Sequence, residues 1–213
     1  MKGLFISFEG CDGSGKSTVS KAVVKKLQAE NYQVIYTREP GGSDIAEQIR
    51  DIILNTNNTK MDAKTEALLY AASRRQHLVE KILPALNANK IVICDRFIDS
   101  SLAYQGVARN LGIDNVLNIN LFATDYKFPD ATIFLDVDEK IGLGRVKNRG
   151  NQDRLDQESL DFHTQVANGY QTIIKKFSNR MHLINADCDL DEVINNTYAK
   201  VKEIIYDSQY HQD

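Results

Sequence analysis

Gly10-Cys11-Asp12-Gly13-Ser14-Gly15-Lys16-Ser17 fits the pattern G-x-x-x-x-G-K-[ST]. It stands between a short β-prone run, Leu4-Phe5-Ile6-Ser7-Phe8, and a stretch where Val19, Ala22, Val23 and Leu27 recur at helical spacing. Strand, glycine loop and helix in that order leave few folds open. Glycines let successive backbone N–H groups turn inward around phosphate oxygens, and the following helix presents its positive N-terminal end to the same anion. A lysine after the last glycine reaches the β- and γ-phosphates of a nucleotide, and the next hydroxyl suits Mg2+. Gly10, Cys11, Asp12, Gly13, Ser14, Gly15, Lys16, Ser17 and Thr18 are therefore expected to hold ATP. Lys16 would act in catalysis and Ser17 at the metal.

The rest of the chain continues the alternation. Val34-Ile35-Tyr36 reads as a second strand, ended by Pro40-Gly41-Gly42, and Ser43 as the cap of a helix carrying Ile45, Ile49, Ile52 and Ile53. From Asp62 a long helical pattern has Leu68, Leu69, Ala72, Val79, Ile82, Leu83 and Leu86 as its expected inner stripe. Pro84 should kink it or tighten its last turns. Ile91-Val92-Ile93-Cys94 and Ala131-Thr132-Ile133-Phe134-Leu135 are continuous apolar runs, as in strands buried on both faces of a parallel sheet. A weaker strand spans His182 to Asn185, and Leu190, Val193, Ile194, Val201, Ile204 and Ile205 mark a last helix before a frayed tail. The expectation is one α/β domain over residues 1–213, a five-stranded parallel sheet flanked by helices in three layers. Lys147 to Gln157 is polar, contains Gly150 and lacks apolar periodicity, so it reads as a short lid between two helices.

Composition narrows the partners. Lys and Arg number 26 and Asp and Glu 29, for a net charge of −3 in 213 residues. That balance argues against general nucleic-acid or membrane-surface binding while leaving room for a local arginine cluster. Cys11, Cys94 and Cys188 are scattered and form no zinc spacing, as in a reducing cytosol. The first apolar run ends at Glu9, too early for a signal-peptide core, and a soluble cytoplasmic protein is expected.

Asp95 ends the third strand, where a carboxylate can reach the metal shell of a nucleotide in the loop. Arg96 follows at the carboxyl edge that faces the ligand crevice of a parallel sheet, and Arg38 in Thr37-Arg38-Glu39-Pro40-Gly41-Gly42 ends the second strand on that edge. Their planar forks suit phosphate. Arg149 and Arg154 in the lid, with Arg145 and Lys147 before them, could supply arginine fingers to the phosphates. Thr59-Lys60-Met61-Asp62 imitates a guanine-reading motif, yet it follows no apolar strand and no D-x-x-G follows the loop, so a GTPase is rejected. His77, His163, His182 and His211 form no ligand pattern.

Together these motifs resemble a known family. Phe8-Glu9-Gly10, the loop, Thr37 to Gly42, Ala71-Ala72-Ser73-Arg74, Cys94-Asp95-Arg96-Phe97, Ser100-Ser101-Leu102-Ala103-Tyr104-Gln105-Gly106 and Asp153-Arg154-Leu155-Asp156 are similar to the thymidylate kinases, in order and with their spacing. The resemblance implies the P-loop nucleoside-monophosphate-kinase fold, transfer of the ATP γ-phosphoryl to dTMP to give dTDP, Mg2+, and a homodimer. It implies that Arg38 and Arg96 hold the acceptor phosphate, with Arg50 lining that site. Tyr70 would stack on thymine, and Arg74, Ser101 and Gln105 would contact the base edge. Tyr104 would crowd the sugar 2′ position, and Asp12 would touch the 3′-hydroxyl. Arg145 would face adenine. Gly13, where another branch carries arginine, implies the bacterial-type branch with its catalytic arginines, Arg149 and Arg154, in the lid. Arg154→Ala should then lower kcat more than it raises KM.

The residues themselves leave alternatives open. A kinase for another nucleoside monophosphate fits the same arginines. A deoxynucleoside kinase needs a general base, for which Glu9 is at hand. A P-loop ATPase or binding module needs a water-positioning residue and a partner surface, and no residues stand out for either.

Overall fold

The structure is a computed structural model describing residues 3–147 and 152–210. Its strands are β1 (Leu4–Glu9), β2 (Val34–Arg38), β3 (Ile91–Asp95), β4 (Ala131–Asp136) and β5 (Met181–Asn185). They form one all-parallel sheet in the order β2-β3-β1-β4-β5. Every residue of β1 and β3 is buried, as their unbroken apolar runs require. Successive side chains serve opposite layers. Leu4, Ile6 and Phe8 join Val23, Leu27, Ile93, Val201 and Ile205 on one face, and Phe5 joins Val92, Phe97, Leu102, Phe134 and Ile173 on the other.

The helices are α1 (Lys16–Ala29), α2 (Asp44–Leu54), α3 (Ala63–His77), α4 (Leu83–Asn87), α5 (Ile98–Ser101), α6 (Ile113–Thr124), α7 (Glu139–Lys147), α8 (Leu160–Lys176) and α9 (Leu190–Tyr210). None among the described residues is long and apolar enough to cross a membrane. The register sets Phe8 and Arg38 each opposite Asp95, so the strand ends that carry Glu9, Arg38 and Asp95 meet along one edge.

Three local readings are corrected. The face of α3 turned inward is Glu66, Ala67, Ala71, Ser73, Arg74 and His77, whereas Leu68 and Ala72 of the expected stripe are exposed. Its polar face turns inward because Arg74 and His77 both find the buried carboxylate of Glu39. Ahead of Pro84 the chain widens into a π-helical turn, Leu78–Ile82, rather than tightening, and Pro84 falls in the first turn of α4, where its missing N–H costs nothing. Ser43 occupies the N-cap position of α2, but its hydroxyl has no partner; Glu47 instead accepts the Gly42 N–H at 2.7 Å. Asn148, Arg149, Gly150 and Asn151 of the expected lid, and the end of the expected frayed tail, lie outside the described residues.

Candidate active site

A cavity of about 410 Å3 opens at the carboxyl edge of the sheet, where parallel sheets gather their ligands. One end is the phosphate loop. Gly13, Gly15, Lys16, Ser17 and Thr18 line it, with Arg145 and Val146 of α7 facing them. Gly10 is packed so closely that a Cβ there would lie 2.7 Å from the Leu135 carbonyl oxygen, and Gly15 takes φ +89 to turn the chain into α1. Lys16 folds back over the loop. Its Nζ donates to the Gly10 and Cys11 carbonyls at 3.0 and 2.8 Å and to Ser14 Oγ at 3.2 Å. Burial and the neighbouring Arg96 charge lower its pKa to about 8, against the pull of Asp12 and Asp95. Ser17 Oγ donates to Asp95 Oδ2, bringing two hard oxygen donors together beside the loop.

The other end is rich in arginine. Arg38 Nη1 and Arg50 Nη1 both donate to the Pro40 carbonyl, at 2.9 and 2.8 Å, and Arg38 also reaches Glu47 at 3.1 Å. Burial and then the Arg38 charge push the Arg50 pKa down, as expected where two guanidinium groups converge. Arg96 comes from beyond β3 with φ +68, a left-handed conformation that costs a non-glycine residue about 1–3 kcal/mol and recurs at functional sites. It donates to Asp12 Oδ1 and, at 3.0 Å, to Ser100 Oγ. Tyr104 donates to the other oxygen of Asp12 at 2.6 Å. Despite its burial, Asp12 is held below the usual carboxylate range by Arg96 and Lys16. Tyr70, Ser101, Gln105 and Leu54 complete this end.

A second layer supports the walls. Arg74, expected at a base edge, lies behind the cavity. It donates from Nε to Glu39 at 2.7 Å, from Nη1 to Ser101 Oγ at 3.0 Å and to Asn120, and from Nη2 to the Phe97 carbonyl at 2.9 Å. Glu9 is fully buried and accepts from Phe97 N–H at 2.7 Å, from Ser100 Oγ at 2.6 Å and from Tyr170 Oη at 2.9 Å. Burial and the Asp99 charge raise its pKa to about 7. Buried Glu66 collects Gln105 at 2.9 Å, Arg109 at 3.1 Å and Arg154 at 2.6 Å.

The sequence-predicted residues thus divide into three groups. The structure brings Asp12, Gly13, Gly15, Lys16, Ser17, Thr18, Arg38, Arg50, Tyr70, Asp95, Arg96, Ser101, Tyr104, Gln105 and Arg145 to one cavity. It sets Gly10, Cys11, Ser14 and Arg74 behind the lining, and it holds Arg154 on Glu66 and the Ile53 carbonyl rather than on the phosphate loop. Arg149 lies outside the described residues. Sequence reasoning missed Glu39, Glu66, Ser100 and Tyr170. Tyr170 is 161 residues from Glu9 and carries no local signal. Glu66 had one: a carboxylate on the face of α3 shared with the polar patch two and three turns on.

The comparisons with known proteins all point to one family. The family model described as thymidylate kinase matches residues 8–196. A thymidylate kinase of Geobacillus sp. is 56% identical over 207 residues, covering 96% of this chain and 99% of its own. One of Bacillus velezensis is 54% identical, covering 96% and 98%. The crystal structure of thymidylate kinase from Ehrlichia chaffeensis superposes with a TM-score of 0.74 at 34% identity, over 95% of this chain and 98% of that one. With the family model spanning most of the chain and the relatives nearly all of it, this chain belongs to the thymidylate kinase family.

Proposed function

We propose that the cavity takes ATP at the phosphate loop and dTMP at the arginine end. An oxygen of the dTMP 5′-phosphate attacks the γ-phosphorus, the bond to the β-phosphate oxygen breaks, and dTDP and ADP leave. The observation that carries this reading is that Arg38, Arg50 and Arg96 line one cavity with Tyr70, Arg38 and Arg50 meeting at the Pro40 carbonyl and Arg96 held beside the loop by Asp12. A nucleoside has no use for three guanidinium groups there; a phosphate dianion does.

That dianion is already a nucleophile, so catalysis rests on positioning and charge stabilisation. Glu9, the general base a nucleoside kinase would need, is fully buried, engaged by four donors and absent from the cavity wall. Arg38, Arg50 and Arg96 offset the repulsion between acceptor and donor phosphates. Lys16 swings from its own loop carbonyls to the donor phosphates. Arg149 and Arg154 are assigned to the transferring group, Arg154 by exchanging Glu66 for phosphate. Tyr70, Ser101 and Gln105 receive the base, Arg74 holding Ser101 from behind. Asp12 and Tyr104 lie at the sugar, and Arg145 beside the adenine end.

Ser17 and Asp95 fit Mg2+, because both offer hard oxygen atoms at one point beside the loop. When bound, the ion would neutralise charge on the donor phosphates. The exposed apolar residues of α3 and α6 favour a homodimer, and the composition a cytoplasmic enzyme.

The test is a coupled ATP/Mg2+ assay with and without dTMP. Acceptor-dependent ATP consumption with dTDP as product supports the reading. ATP hydrolysis indifferent to dTMP leaves only an ATPase.

A further inference from the structure

The outer surface of the phosphate loop meets α7 backbone to backbone. A Cβ on Gly13 would fall 2.0 Å from the Gly142 carbonyl oxygen and 2.8 Å from its Cα. Conversely, a Cβ on Gly142 would fall 2.6 Å from the Asp12 carbonyl oxygen. Neither neighbour is the far end of a flexible side chain, so a methyl group on either glycine must move one main chain off the other. Arg145, one turn along α7 from Gly142, donates from Nη1 to the Gly13 carbonyl at 3.3 Å, and Val146 closes the cavity beside it. Gly144 lies on the same helix two residues on, and a Cβ there meets nothing within 4 Å.

Gly13 takes φ +77, one of the turns that aim the loop's N–H groups inward. The side chain on the peptide that Gly142 touches is Asp12, which holds Arg96 and Tyr104. A displacement of the Asp12–Gly13 peptide therefore disturbs the phosphate cradle directly.

We propose that Gly142 is a positioning residue for phosphoryl transfer: its bare Cα is the platform on which the Asp12–Gly13 peptide rests, and α7 thereby fixes the loop in the shape that grips the donor phosphates. The proposal rests on assigning those phosphates to this loop. If the native chain fails to consume ATP with acceptor present, that assignment fails; the comparison of glycine variants below tests only the platform.

The same substitution at two places on one helix separates the platform from helix stability. Alanine raises helix propensity at both positions, by about 0.8–1.0 kcal/mol relative to glycine. Gly142→Ala is expected to lower kcat/KM for ATP by about tenfold or more, given that misplacement on the ångström scale costs up to about a hundredfold. Inhibition by inorganic tripolyphosphate, which fills the loop without an adenine, should weaken by a similar factor. Gly144→Ala should leave both values within about twofold. Variants indistinguishable in ATP and tripolyphosphate binding would overturn the proposal. So would a Gly142→Ala variant whose loss of ATP and tripolyphosphate binding disappears in assays run well below its lowered Tm.

Should Gly142→Ala not fold, hydrogen exchange of the native chain decides. Tripolyphosphate should slow exchange of the amides at 140–146, and unchanged exchange there with the loop occupied contradicts the proposal.

Discussion

Arg154 Nη2 lies 2.6 Å from Glu66 Oε2, with the two side chains 8% and 1% exposed. Both residues are charged and both are nearly dry, so the pair holds only because Arg109 and Gln105 satisfy the rest of the carboxylate. Removing one partner of a buried pair costs about 3–5 kcal/mol, and Arg109 should reduce that here. Arg154→Ala is expected to lower Tm and to cut kcat by about a hundredfold or more while KM changes little, since arginine fingers act on the transition state. Kinetic assay beside thermal melting checks both. A lower Tm with unchanged kcat would make the pair purely structural and leave the role to Arg149.

Lys16 gives the reaction an alkaline limit. Its pKa is depressed to about 8 in the nucleotide-free protein, mainly by burial. The ammonium is thus present below about pH 8 and lost as pH rises through it. Because kcat/KM reports the free enzyme, kcat/KM for ATP should fall above about pH 8. ATP binding there should take up a proton, measurable by calorimetry in buffers of different ionisation enthalpy. Lys16→Arg should abolish that limb. A flat profile to pH 9.5 in the native chain would contradict it.

Glu9 sets a pH dependence of stability with the opposite origin. Burial and Asp99 raise its pKa to about 7, above its ordinary value of 4.5. Stability from this shift is therefore complete below about pH 4.5 and lost as pH rises through about 7. Glu9→Gln cannot ionise, so its Tm relative to the native chain should rise between pH 5 and pH 8. A Tm difference independent of pH would mean that Glu9 is ionised throughout.

Phe122 and Tyr126 are 86% and 74% exposed, and Leu68 is 55% exposed. Arg75, two turns after Leu68 on the same face of α3, pairs with Asp125 at the end of α6, so these apolar side chains share one surface. If the proposed homodimer forms through this surface, the native chain should sediment as a dimer and the Leu68→Glu, Phe122→Glu double variant as a monomer, with Tm falling and becoming independent of concentration. A native chain that sediments as a monomer would contradict the homodimer, and a double variant that stays dimeric would place the contact elsewhere.

What the sequence revealed depended on range. The loop, the strand ends and the arginines beside them were legible because each sits in a local pattern: an apolar run, then glycine, proline or charge. β1 and β3 were legible for the same reason, both faces being buried. The inner face of α3 was not. Its periodicity favoured Leu68 and Ala72, but Glu39, arriving from β2, pairs with Arg74 and His77 and turns the helix over. Tyr170 behind Arg96 and Glu66 behind Arg154 depend on contacts across 74 and 88 positions, which spacing cannot carry. Ser100 to Gly106 was recognisable as a motif, whereas its winding into α5 and a π-helical segment, Leu102–Ala108, was not.

The central claim is that the arginine end of the cavity receives a phosphate attached to thymidine. The most direct measurement is the ratio of kcat/KM for dTMP to that for thymidine, under saturating ATP and Mg2+, in the native chain and in Arg96→Ala. The account predicts strong turnover of dTMP, none detectable for thymidine, and a large loss for dTMP in Arg96→Ala. Turnover of thymidine matching that of dTMP, unaffected by Arg96→Ala, would contradict it.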